Sequence, residues 1–284
     1  MPAVFLDHQS STPPLPEVVE AMRPFLAESF GNAASFHRYG QKARAALNRA
    51  REQLASFLHA ESAEQVIFTS GGTEAVNLAV KGVAWANVAR GRHIVLSGAE
   101  HPAVANSVAF LETIGFTATR VPVDREGFIS VDDVQAALTD ETILICAHYA
   151  NHDVGTIQPV GKIAEVAAGR GVPLFVDAVA AAGWLPLDVQ QLGVSLLALS
   201  PHRFYGPKGV GALYRHRGAR LVSLIHGGDQ EQGRRAGTEN VGHRRSRPRR
   251  RNRSERCLPR TNPSCGPAAP ALGPANRRLC LTWL

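Results

Sequence analysis

The sequence is poor in cysteine and lacks any long hydrophobic run. Only four of its 284 residues are cysteines, and their spacing fits neither a disulfide framework nor the paired C-x-x-C motifs of a zinc site. Reduced thiols are therefore expected, with Cys146 in a buried strand. No apolar run reaches the roughly 18 residues of a membrane span, and the chain opens on a strand-like segment, residues 4–7, without a basic and apolar leader. These absences predict a cytoplasmic protein that does not enter a membrane.

Lysine is absent from residues 242–284, where arginine is abundant. The whole chain carries +7 and this segment carries +10, from eleven arginines and one glutamate, so residues 1–241 carry −3. The segment also has six prolines and no helical or strand periodicity, which predicts a disordered tail. It is either a basic arm that binds nucleic acid or an out-of-frame reading of a GC-rich gene. The missing lysines and the single Trp283 favour the out-of-frame origin, so nucleic-acid binding is not expected.

Residues 1–241 alternate short aliphatic or β-branched runs with amphipathic helical stretches. This alternation is typical of an α/β protein with a mostly parallel sheet covered by helices. Ser130 stands three residues before Asp133, which is the spacing of a capping box at the start of a helix. The predicted strands are 66–69, 93–97, 142–148, 173–177, 196–200 and 209–215, and the clearest predicted helices are about 42–59, 73–89 and 131–138.

The turn at residues 70–73, Ser-Gly-Gly-Thr, joins a predicted strand to a predicted helix. Two glycines allow the backbone to approach an anion closely, and the start of the helix offers free N–H groups, so the turn is suited to a phosphate. Taken alone, however, a glycine-rich turn of this kind is more often only a tight turn.

Polar residues also follow other predicted strands. Asp177 ends one strand, where a carboxylate could hold a pyridine nitrogen protonated, although a helix N-cap is the commoner role. Ser200 and His202 could donate hydrogen bonds to phosphate oxygens, and His101 offers an imidazole face. Each residue has a common structural role when it is considered alone, so the order in which they occur is the more specific signal.

This order of motifs resembles that of the cysteine desulfurases, in the class V aminotransferase group. The likeness extends from residue 4 to residue 241. So many motifs in register make the match highly specific. The matching segments are FLDHQSSTP, FGNAASFHRYG, TSGGTEAVNLAVKG, AEHPAV, VDAVAAAG, GPKGVGALY and RRAGTENV.

The resemblance implies a pyridoxal-phosphate-dependent transferase of fold type I, the aspartate aminotransferase-like architecture. Its large domain, about residues 14–241, would contain a mostly parallel seven-stranded sheet, and residues 1–13 would contribute to a smaller, truncated domain. A homodimer with active sites at the interface is also implied. By the same resemblance, the phosphate of pyridoxal phosphate would be held by Gly72, Thr73, Ser200 and His202, with Thr238 from the neighbouring subunit, while His101 would stack on the ring and Asp177 would pair with its nitrogen.

Arg203 departs from the family at the position of greatest chemical importance. In the family, a lysine directly after Ser-x-His forms a Schiff base with the cofactor and then moves protons on the substrate carbon. A guanidinium stays protonated and is not a usable amine nucleophile, so Arg203 predicts non-covalent binding of the cofactor. Lys208 lies five residues further on and is interpreted as a turn residue or a charge on the phosphate side. The catalytic positions are therefore His101 and Arg203, the second of them altered.

Further departures occur at positions that in the family bind the ring oxygen of the cofactor. The family's Asn-Asn-Glu is Asn151-His152-Asp153 here, and its glutamine after Val-Asp-Ala-Val is Ala180. Together with His148, residues 152 and 153 could suggest a metal site, but a satisfied polar cluster after a strand is commoner and no metal is expected. The family's nucleophilic cysteine lies on a loop downstream of Arg-x-Gly-Thr that has no counterpart in residues 242–284.

Two functions stay open from the sequence. The first is a cysteine desulfurase homologue that converts L-cysteine to L-alanine and passes sulfur to an acceptor scaffold for iron–sulfur or related cofactor assembly, with impaired activity. The second is a non-catalytic paralogue that binds the cofactor or a partner protein. The residue at position 203 distinguishes these two functions, and an arginine there, in place of an amine, counts against catalysis.

Overall fold

Seven strands and eight α-helices alternate along the chain in a computed structural model that describes residues 4–244. The strands are β1 Val66–Thr69, β2 His93–Ser97, β3 Thr117–Val121, β4 Thr142–His148, β5 Leu174–Asp177, β6 Leu196–Leu199 and β7 Gly211–Arg215. The helices are α1 Pro16–Ala27, α2 Arg38–Phe57, α3 Gly72–Asn87, α4 Pro102–Glu112, α5 Val131–Ala137, α6 Val160–Gly169, α7 Val189–Leu192 and α8 Val241–Arg244.

The strands form one mixed sheet in the order β1-β7-β6-β5-β4-β2-β3. Strands β2 to β6 pair in parallel, whereas β7 is antiparallel to both of its neighbours, β1 and β6. Two antiparallel pairings in succession bring β1 back to the direction of β6. The carboxyl ends of β1, β2, β4, β5 and β6 therefore lie at one edge of the sheet, where open α/β sheets bind ligands.

The core consists of two hydrophobic layers, one on each face of the sheet. Successive side chains of a strand point to opposite faces, so Leu144 and Cys146 of β4 belong to one layer and Ile145 and Ala147 to the other. Helices α3 and α4 cover the first layer, and α2 and α6 cover the second. Every residue of β4 is buried, as expected for a central parallel strand.

The structure confirms the predicted fold class and all six predicted strands to within two residues at their ends. Sequence analysis missed β3, because its Thr-Ala-Thr-Arg-Val sequence is mostly exposed at the sheet edge and lacks an apolar face. Residues 4–7 are not a strand, so that prediction was wrong. They have no neighbouring strand to pair with, and Val4, Phe5 and Leu6 are exposed.

The helix boundaries follow local capping. The side chain of His37 accepts a hydrogen bond from the Gly40 N–H, so α2 begins at Arg38, four residues earlier than predicted. Ser130 accepts from the Asp133 N–H, as its position before α5 predicts.

Helix α8 continues three residues beyond the predicted boundary at residue 241, and the remainder of the predicted tail, 245–284, lies outside the described residues. The division into residues 1–13 and 14–241 stays a prediction.

No helix within residues 4–244 has both the length and the apolar character required to cross a membrane.

Candidate functional site

The turn between β1 and α3 brings the backbone close to two other segments of the sheet edge. Gly72 is the first residue of α3, and a Cβ atom there would lie 2.9 Å from Val179 Cγ2 and 3.2 Å from Ser200 Cβ. Only glycine fits this position without displacing a neighbour. The free N–H groups at the start of α3 thus lie next to the segments that follow β5 and β6.

An ion pair fixes the first turn of α3. Glu74 accepts a hydrogen bond from the Ser70 N–H at 2.8 Å and two from the Arg235 guanidinium at 2.7 and 3.1 Å. Burial raises the pKa of Glu74, but the hydrogen bonds from Arg235 and Ser70 outweigh it and the net shift is downward. The carboxylate is therefore ionised and neutralised by Arg235, which also attaches the segment after β7 to this helix.

The segment after β6 contributes a half-buried imidazole. Ser200 is buried, and it precedes a short 3₁₀ helix, Pro201–Arg203. Nδ1 of His202 is buried and has no hydrogen-bond partner within residues 4–244. Burial lowers the pKa of His202, and the charges of Arg203 and Lys208 lower it further. A neutral imidazole with an unpaired buried nitrogen is costly unless a ligand supplies the missing partner.

Thr12 holds this segment in place from the other end of the chain. Its N–H and its hydroxyl both donate to the His202 carbonyl, at 2.7 and 2.9 Å, and its hydroxyl accepts from the Tyr205 N–H at 2.6 Å. Tyr205 has a φ of 68°, a left-handed conformation that few residues other than glycine adopt. Sequence analysis did not identify Thr12, since nothing in a local pattern signals a contact between residues 190 positions apart.

Asp177, the last residue of β5, is buried at the sheet edge. Its Oδ1 accepts the Val179 N–H at 3.0 Å, as in the capping role considered from the sequence. Burial raises the pKa of Asp177 to about 6, and the nearby Glu100 carboxylate also raises it, whereas the Val179 N–H and the imidazoles of His148 and His152 lower it. The carboxylate is thus mostly ionised at neutral pH and would be stabilised by a cationic partner.

A second buried carboxylate lies behind Asp177. Glu100 Oε1 accepts from the His148 N–H at 2.7 Å and lies 3.0 Å from His148 Nδ1. His148 Nε2 is 3.1 Å from Gln158 Nε2, which can only donate, so the imidazole proton lies on Nδ1 and faces Glu100. Sequence analysis gave no role to Glu100. Its position at the end of β2, near the ends of β4 and β5, was the available signal.

Two more imidazoles line the same edge. His101 caps α4, and its Nδ1 accepts the Ala103 N–H at 3.0 Å. The ring of His152 packs edge-on against it, with centroids 4.9 Å apart. Burial lowers the pKa of both histidines, and the charge of Arg203 lowers that of His101 further. His152 lies 3.4 Å from Asp153, and no group of three potential metal ligands occurs within residues 4–244.

Arg203 lies half-buried among these groups. Burial lowers the pKa of its guanidinium, and the carboxylates of Asp177, Asp7 and Asp153 oppose that shift. The positive charge of Arg203 also lowers the pKa values of His101, His152 and His202. The side chain forms no hydrogen bond or ion pair with any other residue of the described chain. An arginine with unfilled N–H donors therefore occupies the position that the family resemblance assigns to a lysine.

The structure places most of the predicted site residues at one edge of the sheet. Thr73 is next to Gly72 in the first turn of α3 and is exposed. Thr238 is exposed in the segment after β7, and within the single described chain no hydrogen bond joins it to the other site residues. Its proposed reach into a second subunit stays a prediction, as do the individual cofactor roles. The residues that meet at the edge are Gly72, His101, Asp177, Ser200, His202 and Arg203.

This sheet, with its glycine turn and its buried carboxylate at the carboxyl edge, has the architecture of a class V aminotransferase. The chain belongs to that family, Aminotransferase class-V, which matches residues 4–243. Among curated proteins it is 50% identical over 238 residues to a cysteine desulfurase IscS of Dictyoglomus turgidum, a match that covers 84% of this chain and 60% of that protein. It is 48% identical over 239 residues to the cysteine desulfurase IscS of Methanosarcina thermophila, with 84% and 59% coverage.

Solved structures of similar proteins have the same fold. A structure of SspA in complex with cysteine superposes with a TM-score of 0.82 at 39% identity, over 85% of this chain and 70% of that one. A NifS-like protein superposes with a TM-score of 0.82 at 36% identity, over 84% and 66%. The chain spans about three-fifths of the length of the curated relatives that it matches.

Proposed function

We propose that this chain is a cysteine desulfurase homologue whose sheet-edge site binds pyridoxal phosphate without a covalent bond. The observation that carries the proposal is the meeting of Gly72, Ser200, His202 and Asp177 at one edge of the sheet. The identity to cysteine desulfurases over 84% of the chain supports the same chemistry.

The residues present suit the phosphate and the ring of this cofactor. The Nδ1 atom of His202 is buried and unpaired within residues 4–244, and a phosphate oxygen would supply the missing hydrogen-bond partner. Gly72 leaves no Cβ between the start of α3 and Ser200, so a phosphate can contact the backbone N–H groups. The ionised Asp177 would pair with a protonated pyridine nitrogen. Arg203 does not suit covalent attachment, since it offers no nucleophilic amine.

When bound, the protonated pyridine ring acts as an electron sink that weakens bonds to the substrate carbon. Asp177 would keep the ring nitrogen protonated, and the buried Glu100–His148 pair fixes the end of β4 beside it. His101 would stack on the cofactor ring, and the hydrogen bond that it accepts from the Ala103 N–H restricts the orientation of its imidazole. Arg203 cannot take up and return protons at neutral pH, so the proton transfers of desulfuration lack a base at this position.

By its family, the amino acid proposed to enter the site is L-cysteine, with its desulfuration impaired, and a sulfur-acceptor scaffold for iron–sulfur or related cofactor assembly is the proposed partner. Arg203 favours the alternative of a non-catalytic paralogue that binds the cofactor, because an arginine in place of the family's lysine removes the base but leaves the binding residues in place.

A homodimer is proposed as well, supported by the exposed aromatic side chains of Phe30 and Phe36. A sedimentation mass of a single chain would contradict it. The cytoplasmic location stays a prediction.

The proposal is tested with pyridoxal phosphate, borohydride and peptide mass spectrometry. We expect the native protein to bind the cofactor reversibly, to carry no borohydride-fixed label in the peptide that contains residue 203, and to release no alanine from L-cysteine. The Arg203→Lys variant should acquire a label at position 203, because it places an amine next to the bound ring. Arg49→Lys is the matched control, since it places an amine on the exposed surface of α2, where any labelling should be no greater than that of the exposed Lys42 on the same helix.

Two outcomes would overturn this account. A native protein that becomes covalently labelled and desulfurates cysteine would show that the impairment is wrong. A native protein that does not bind pyridoxal phosphate at all would remove the cofactor assignment.

A further inference from the structure

We propose that Arg203 makes the site selective for a phosphopyridoxyl ligand that carries an amino-acid carboxylate, in preference to the same ligand without one. This inference rests on the proposed function, because it concerns the ligand of the same site. An ionic contact between Arg203 and the ligand carboxylate would take the place of the covalent link between the family's lysine and the cofactor.

The first argument is the unfilled bonding capacity of the side chain. Arginine has five N–H donors, and in the described part of the chain the guanidinium of Arg203 donates to none of the neighbouring groups. The side chain is nevertheless half-buried, so water replaces those bonds only in part. A partly buried cation with free donors is stabilised most by a ligand that brings a paired acceptor.

The second argument is the charge around Arg203. The charges of Asp177, Asp7 and Asp153 favour the protonated guanidinium, but within residues 4–244 no ion pair joins Arg203 to any of them. These carboxylates therefore stabilise the charge of Arg203 without filling its N–H donors. Asp177 is already committed to the Val179 N–H and, in the proposed function, to the ring nitrogen. The planar fork of Arg203 is thus free to face a ligand.

The third argument identifies the acceptor. The phosphate of the ligand has its own partners at the other end of the site, namely the start of α3, Ser200 and His202. What a phosphopyridoxyl amino acid offers in addition is a carboxylate, and a guanidinium binds a carboxylate with two parallel hydrogen bonds. A ligand that ended in an ammonium group would instead be repelled by Arg203.

The test compares two stable ligands that differ only in one carboxylate. N-(phosphopyridoxyl)-L-alanine and N-(phosphopyridoxyl)ethylamine have the same ring, phosphate, secondary amine and methyl group. Neither can react with a protein amine, so the readout is an equilibrium dissociation constant and not an activity. We expect the alanine compound to bind the native protein at least about ten-fold more tightly, the difference typical of a charge-assisted pair of hydrogen bonds.

The Arg203→Met variant should lose this preference and keep its affinity for the ethylamine compound. Arg49→Met, which removes an exposed arginine of α2, should retain the preference. Arg203→Gln provides the same comparison if the methionine variant does not fold, as judged by circular dichroism.

Four results would overturn the inference. Equal affinity of the native protein for the two compounds would show that no carboxylate is recognised. A preference that survives in Arg203→Met would assign it to another residue. Equal weakening of both compounds in that variant would place Arg203 on the phosphate. If the native protein bound neither compound, the proposed function would fail together with this inference, which separates that case from the others.

Discussion

Asp177 illustrates how the environment of one residue links stability to binding. Its carboxylate is buried, with one N–H donor to Oδ1 and a second carboxylate, Glu100, nearby. Burial raises its pKa to about 6, above the model-peptide value of 3.8. The folded state therefore holds this proton more tightly than the unfolded state between about pH 4 and pH 6. Stability from this residue is complete below that range and is lost as the pH rises through it.

The Asp177→Asn variant should consequently be more stable than the native protein at pH 7, by on the order of 2 to 3 kcal/mol. The amide oxygen can still accept the Val179 N–H, but the buried charge is gone. At pH 3.5 the difference should be much smaller, because the native carboxyl is then protonated in the folded state. The same variant should bind pyridoxal phosphate more weakly at pH 7, since it cannot pair with a cationic ring nitrogen.

Denaturant unfolding at the two pH values, with the unliganded protein, measures this effect. A variant that is less stable than the native protein at pH 7 would contradict the account of Asp177. So would a difference in stability that does not change with pH.

At the residue scale, sequence reasoning located groups but not their partners. Asp177, Ser200 and His202 were identified because each lies at the end of a predicted strand or just after it, and parallel strands end at one edge. The pairing of Glu100 with His148 and the clamp formed by Thr12 depend on the packing of distant segments. No local pattern contains that information.

Helix α2 is joined to the sheet by an ion pair that sequence reasoning did not find. Arg51 donates to the Val66 carbonyl of β1 at 2.6 Å and to both carboxylate oxygens of Glu231, at 2.6 and 3.0 Å. Glu231 also accepts the Phe68 N–H at 3.0 Å. The two side chains are 13% and 1% exposed, so this is a buried pair that joins α2, β1 and the segment after β7.

The Arg51→Met variant should lower the free energy of unfolding by about 3–5 kcal/mol, because it removes both Arg51 hydrogen bonds and their positive charge from a buried carboxylate. Arg23→Met is the matched control. It breaks the Arg23–Glu20 pair of α1, whose side chains are 70% and 64% exposed, and should change stability little. Equal effects of the two substitutions, measured by denaturant unfolding, would contradict the importance of the buried pair.

At the element scale, the length and burial of a segment decided which predictions succeeded. The buried strands β2 and β4 were predicted with their full bounds, since continuous apolar runs mark central parallel strands. Strand β3 was missed because it is short, polar and at the edge. The start of α2 was misplaced because histidine is not among the usual capping residues.

At the scale of the whole molecule, the order of motifs was more informative than any single motif. Each motif had a common structural explanation, but the order of the motifs along the chain, from the turn at Gly72 to Thr238, predicted one sheet with one ligand-binding edge. The structure has that sheet, and segments far apart in the chain meet at its carboxyl edge. Subunit pairing could not be derived in the same way, because the contacts within one chain do not specify a second copy.

The most direct test of the central claim is the affinity for pyridoxal phosphate of two alanine variants, measured by equilibrium dialysis. Gly72→Ala adds a Cβ atom at the start of α3, and this atom would lie 2.9 Å from the side chain of Val179. A Cβ atom added at Gly161 in α6 would meet no atom within 4 Å. We expect Gly72→Ala to weaken binding at least about ten-fold, since it displaces the N–H groups proposed to hold the phosphate. Gly161→Ala should bind as the native protein does. Equal affinity of all three proteins, or no binding by the native protein, would contradict a phosphate site at this edge.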